Sequence, residues 1–183
     1  YTADLARALN ILTLNLNRGG RMNEALAAVQ EAVTIYRSLA QIDPAAYKPD
    51  LAACLHNVAT CLGDTGHRSA ALAAIRETTT IRRELAERDP ATHAPALAPC
   101  LHRLAKRLAE AGHRGEALET AREAVDLYRS LARKRPEAFR QGLADTLGTY
   151  ASVLEWVGKE SDAARIRQES EDVTEQMALK TSV

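Results

Sequence analysis

Leucines at positions 5, 9, 12 and 16 follow one another at intervals of four, three and four, separated by polar or small residues. That spacing lines one face of an α-helix and does not fit the strict alternation of a half-buried strand. It predicts a first helix, helix A, from about Asp4 to Arg18. Beyond Gly19-Gly20, a broader stripe of Ala25, Leu26, Val29, Ala32, Val33, Tyr36 and Leu39 predicts a second helix, helix B, that stops at Asp43-Pro44. Helix B would be about 30 Å long against about 22 Å for helix A, a lopsided hairpin. Gly20 supplies the backbone freedom for the reversal, and Asn23 is placed to N-cap helix B. Ser69 and Ser161 stand at the same place in later units, with Gly115 as a weaker cap.

The hairpin recurs. Gly20, Gly66, Gly112 and Gly158 are each 46 residues apart, and a whole frame travels with them. Leu5, Leu51, Leu97 and Leu143 share a phase, as do Leu9, Leu55, Leu101 and Leu147, then Leu16, Leu62, Leu108 and Leu154, then Ala25, Ala71, Ala117 and Ala163. Asp43-Pro44, Asp89-Pro90 and Arg135-Pro136 punctuate the units and are followed by Tyr47, His93 and Phe139. Four units result, at about 1–46, 47–92, 93–138 and 139–183. A single amphipathic pair cannot bury its own stripe, so consecutive pairs are expected to stack on one another. The expected fold is all-α, a solenoid of four helix-turn-helix repeats in a single domain spanning 1–183.

Composition agrees with helices. The chain is 46% hydrophobic but only 4% aromatic, so its core must be built from Leu, Ile, Val and Ala, which suits close-packed helices better than sheets. Twenty-four basic side chains meet 24 acidic ones, which removes the basic excess of a general nucleic-acid binder. The neutral sum hides a pole. The third unit has nine basic residues against six acidic, and the fourth five against eight. No apolar run approaches the length of a membrane span, so no membrane partner is expected. Three cysteines, Cys54, Cys61 and Cys100, do not form a disulfide framework, which points to a reducing, cytoplasmic setting. Starting at Tyr1 without Met or leader, the chain reads as a piece of a longer multidomain protein.

Leu12, Leu16, Gly20, Glu24-Ala25-Leu26 and Ala32-Val33 in the first unit, and Leu104, Ala105, Leu108, Gly112, Glu116-Ala117-Leu118 and Ala124-Val125 in the third, resemble the tetratricopeptide repeat. The second and fourth units are looser, with Thr78 and Ser170 where Ala32 and Ala124 stand. The usual unit of that family has 34 residues. This longer one runs on past Arg37, Arg83 and Arg129 and is similar to the elongated, kinesin-light-chain-like form. The resemblance implies a right-handed superhelix and a protein-binding scaffold of the kind found in signalling proteins, with helix A lining a concave groove.

Carried over in phase, the groove positions are Arg7, Asn10, Leu14 and Asn17, then Ala53, His56, Asn57 and Thr60. They continue with His102, Arg103 and Lys106, then Asp145, Thr149 and Ser152. Asn10, His56 and His102 share one phase, with Asn57 and Arg103 beside them, which would make a ladder of donors for a peptide backbone or carboxylate. The other reading is an ordinary solvated face. Arg103, Lys106 and Arg107 would favour an acidic peptide segment. Trp156 sits at the groove edge of the last helix A, either as a binding anchor or as a packing residue. The candidate partner-binding set is therefore Asn10, Asn17, His56, Asn57, Thr60, His102, Arg103, Lys106 and Trp156.

Catalytic and metal signals are poor. Cys54-Leu55-His56 and Cys100-Leu101-His102 look like ligand pairs, yet residues two apart on a helix point to opposite sides, so both cysteines read as packing. The glycines are one-per-repeat helix ends, not a phosphate loop. No nucleophile constellation appears, and no enzyme activity, cofactor or metal is expected. Ser170 and Glu171 make the last helix polar, like a cap, whereas Ile11 and Leu14 make the first unusually apolar, which would suit self-association or further repeats. Two rival functions stay open: a peptide-sensing domain that switches an attached effector, and an oligomerisation spacer.

Overall fold

The computed structural model describes residues 1–181, which form eight α-helices: α1 (Thr2–Arg18), α2 (Met22–Ile42), α3 (Pro44–Asp64), α4 (Arg68–Arg88), α5 (Pro90–Glu110), α6 (Arg114–Lys134), α7 (Pro136–Trp156) and α8 (Glu160–Thr181). Odd-numbered helices are helix A of each hairpin and even-numbered ones helix B. None, among the described residues, is long and apolar enough to cross a membrane.

The hairpins of the later units are not lopsided, because α3, α5 and α7 have 21 residues each, like α2, α4 and α6. Pro44, Pro90 and Pro136 each start a helix, with one residue between it and the end of the preceding helix. At the first helical position a missing N–H costs nothing, and the fixed φ of proline already suits the helix. Oδ1 of Asp43 accepts from the Ala46 amide at 3.0 Å, and Oδ1 of Asp89 from the Thr92 amide at 3.2 Å. Hydrogen bonds from Thr92 hold the Asp89 carboxyl below the usual carboxylate range. Each of these aspartates is thus the whole joint between two helices.

The elbows explain a second departure from the sequence pattern. Gly20, Gly66, Gly112 and Gly158 have φ of +72, +81, +84 and +78°, the left-handed conformation that closes a Schellman turn. At the first elbow the Gly20 amide donates to Asn17 O at 3.1 Å and the Arg21 amide to Leu16 O at 2.9 Å. The carbonyl of Arg21 then accepts from Ala25 N at 3.0 Å, so the residue that ends the turn already begins α2. His67 and His113 do the same for α4 and α6. Asn23, Ser69, Gly115 and Ser161 consequently lie one residue inside their helices and not at the cap. A 21-residue helix A, a three-residue elbow, a 21-residue helix B and a one-residue joint account for the 46-residue period.

Packing divides the chain into two compact units, Tyr1–Ala94 and a second from Pro95 onward. In the first, α2 packs on α1 and α3, and α3 on α4. Its core holds Val29, Tyr36, Leu55 and Ile75 around wholly buried Ala25, Ala52 and Ala71. The absent Cβ branches of these alanines let backbones approach closely. In the second unit α7 packs on both α6 and α8, over Leu101, Leu108, Val125 and Leu147. The looser repeat positions find backbone partners, Thr78 within its own helix and Ser170 across to α7. The Thr78 hydroxyl donates to Ala74 O at 2.8 Å, and the Ser170 hydroxyl to Ala144 O at 3.1 Å. α1 breaks the phase. Leu5 is 49% exposed where Leu51, Leu97 and Leu143 are each 6%, and Ile11, Leu12 and Leu14 are exposed with it.

Candidate functional site

The sequence places polar side chains on helix A away from the seam with helix B, and the structure gives those of the second unit a cleft. His102, Lys106, Ala109 and Glu110 of α5 face Asp145, Thr149, Ser152, Val153 and Trp156 of α7 across a space of about 580 Å³. Positions four, seven and eleven residues apart on α7 make one wall, as helical periodicity requires. Three of the candidate partner-binding residues, His102, Lys106 and Trp156, lie in this cleft together. Arg103 borders a smaller neighbouring hollow with Pro99 and Arg107.

His102 is the best-positioned of them. The Thr149 hydroxyl donates to Asp145 O at 3.2 Å and lies 2.9 Å from Nε2 of His102, an arrangement that suits a proton on Nε2. Nδ1 is left as an acceptor. Burial pushes the imidazole below its ordinary pKa, Asp145 opposes that shift, and Lys106 and Arg103 add to it. Lys106 is exposed at the rim and makes no salt bridge among the described residues. The floor is apolar, through Ala109, Val153 and the indole of Trp156. From α6, the guanidinium of Arg114 lies over that indole, 4.6 Å from the ring centroid. Ala109, Val153 and Arg114 were not singled out from the sequence. Arg114 is the first residue of helix B, a position whose only signal is that it follows the elbow.

In the first unit, the predicted residues bond to each other across the α1–α3 contact. Nδ2 of Asn57 donates to Oδ1 of Asn10 at 2.7 Å, and the Cys61 thiol to Oδ1 of Asn17 at 3.3 Å. Thr60 donates to the carbonyl of His56 at 3.1 Å, in its own helix. These amides therefore spend one side of their hydrogen-bonding capacity on the seam and keep the other for solvent. The Asn10–Asn57 and His102–Thr149 bonds both join residues 47 apart, one repeat plus one residue, so the same seam chemistry recurs in both units.

The Cys-x-His pairs split as the helix geometry demands. Cys54 and Cys100 are buried, while His56 and His102 are half-exposed. Burial pushes the Cys54 thiol up to about 12, which keeps it protonated and unreactive near neutral pH. No group of three or more His, Cys, Asp or Glu among the described residues is placed to hold a metal ion.

A tetratricopeptide-repeat family model matches residues 51–91, and a model described as anaphase-promoting complex subunit 5 matches residues 4–43 and 96–134. No curated protein matches the chain. Among solved structures, the chain is similar to BtubC (BKLC) from P. vanneervenii, with a TM-score of 0.81 and 14% identity over 97% of this chain and 66% of that one. It is also similar to the apo form of RapI, at 0.79 and 15% over 97% and 58%, and to aspartyl phosphate phosphatase F from Bacillus subtilis, at 0.74 and 12% over 97% and 42%. The chain thus spans between 42% and 66% of these proteins' lengths, and at such identities the likeness is one of fold. On the recurring phase, the left-handed elbow glycines and these matches, the chain has the fold of an α-solenoid of helical hairpins, similar to tetratricopeptide-repeat arrays but drawn out here to 46 residues per repeat.

Proposed function

We propose that this chain is a protein-interaction scaffold, and that a peptide or partner segment docks in the cleft between α5 and α7. The observation that carries this reading is the cleft itself. It combines an apolar floor ending in a stacked tryptophan with an unpaired lysine at the rim and a histidine held through Nε2 by the Thr149 hydroxyl. An apolar anchor with a few convergent polar groups is what recognition of an extended segment needs. Lys106 selects for an acidic residue beside the anchor. Most of the contact energy would come from covering Trp156.

The test is selection of a displayed random-peptide library on the array, followed by titration of the selected peptides while the emission of Trp156 is followed. Trp156→Ala and Lys106→Glu are expected to weaken binding about tenfold or more. Arg165→Ala, on the exposed face of α8, should leave it unchanged. Peptides that bind all three variants like the native chain would place recognition elsewhere.

A further inference from the structure

In the second repeat, Lys48 of α3 and Glu84 of α4, 36 residues apart, form an ion pair at the far ends of their helices. Two repeats on, 92 residues later, the same two positions are Arg140 of α7 and Gln176 of α8. The cation is kept and its acid is gone. The consequence is visible in the packing. Nη1 of Arg140 is buried and has no hydrogen-bond partner, although a guanidinium nitrogen shut away from water without an acceptor is among the costlier arrangements in a protein interior. Arg140 and Gln176 both line a cleft of about 450 Å³, together with Arg129 and Arg133.

Among the described residues, no carboxylate lines this cleft. Arg129 already holds Glu169 through two bonds of 2.8 and 2.6 Å, whereas Arg133 donates only to a backbone carbonyl, Arg129 O, at 3.3 Å. Two guanidinium groups, on Arg133 and Arg140, therefore stand over one hollow with no counter-charge among its described lining residues, beside an amide that can donate. The remaining walls, among them Leu143 and Val173, are apolar. Guanidinium forks match the planar, two-oxygen geometry of a carboxylate, and a low-dielectric wall strengthens such a pair.

We infer that this cleft is a carboxylate-binding site in which an incoming carboxylate fills the place that Glu84 fills in the second repeat, held by Arg140 and Arg133, with the apolar body behind it resting on Leu143 and Val173. Turning the Arg140 side chain toward the cleft brings Nη1 to the ligand and removes the unsatisfied donor of the empty fold. The carboxylate can belong to an acidic residue of a bound segment or to a free organic acid. The site is distinct from the α5–α7 cleft and stands or falls separately from the reading of that cleft.

The experiment uses the whole chain with labelled arginine side chains, titrated with hexanoate and, separately, with an end-blocked peptide carrying one central glutamate, at matched ionic strength. Saturable shifts of the Arg140 Nε–H signal are expected, with binding at least tenfold weaker in Arg140→Gln. A response to hexanoate alone assigns a free acid, and a tighter response to the peptide assigns a partner segment. Gln176→Glu restores the acid from within. It should abolish the response and raise Tm by about 2–4 °C, a readout that needs no ligand. No saturable shift with either probe would overturn the proposal. So would an equal shift with inorganic phosphate, or a Gln176→Glu chain that binds like the native one and melts at the same temperature.

Discussion

The guanidinium of Arg114 covers the indole of Trp156 from one side, 4.6 Å from its centroid, at the end of the α5–α7 cleft. Trp156 is the one tryptophan in the sequence, so its emission reports this site alone. Arg114→Ala should uncover the ring and shift its emission to the red. A half-exposed cation–π contact contributes only about 0.5–1 kcal/mol, so the urea midpoint should move little. An unshifted spectrum would show that the contact does not hold in solution.

Two glycines six residues apart on α7 should respond to alanine with opposite sign. A Cβ at Gly142 would meet the buried ring of Tyr128 at 2.4 Å, whereas one at Gly148 meets nothing within 4 Å. Gly142→Ala is expected to cost about 1–3 kcal/mol through overpacking. Gly148→Ala, in an exposed helix interior, should add about 0.5–1 kcal/mol. Denaturant unfolding of the two variants side by side decides the matter.

Leu5 and Leu51 hold one phase but different burial, 49% against 6% exposed. Leu51→Ala should therefore cost about 2–5 kcal/mol and Leu5→Ala less than about 1 kcal/mol. Similar losses at both sites would mean that something covers α1 in solution, which the oligomeric state would reveal.

Ala25, Ala71, Ala117 and Ala163 are all wholly buried where each helix B begins its packing on helix A. Replacing Ala117 with Leu should cost about 1–3 kcal/mol, measured as a fall in unfolding midpoint. An unchanged midpoint would contradict tight packing around Ala117.

The imidazole of His102 has its pKa lowered in the fold, chiefly by burial. Below about pH 6.5 the unfolded chain takes up this proton more readily than the folded one, so stability present above that value is lost as pH falls toward the lowered folded pKa. His102→Gln, which keeps a donor for Thr149, should flatten the decline in Tm between pH 7.5 and 5. An equal decline in both proteins would assign it to other groups.

The period, the helical content and the elbow glycines were legible in the sequence because each depends on residues close together in the chain. What misled was punctuation read in isolation. Asp43-Pro44 stops α2 but also starts α3, since a proline is as suited to the first turn of a helix as it is hostile to the middle. Asn23 has the chemistry of a cap, yet the Schellman turn has already used Arg21 for that purpose. At the candidate site, His102, Lys106 and Trp156 followed from phase, but the cover that Arg114 gives Trp156 depends on how α6 lies on α7, which no local spacing encodes. Asn10 and Asn57 were both expected on an open face. Their mutual bond arises because positions one repeat plus one residue apart meet at the α1–α3 contact.

The one-residue joints at Asp43, Asp89 and Arg135 leave the chain no slack. A single inserted residue at any of them would swing the following helix by about 100° about its axis and turn its leucines toward water. Small insertions and deletions are therefore excluded at these points, and the protein can grow or shrink there only in whole 46-residue steps, like a ruler cut at its own graduations.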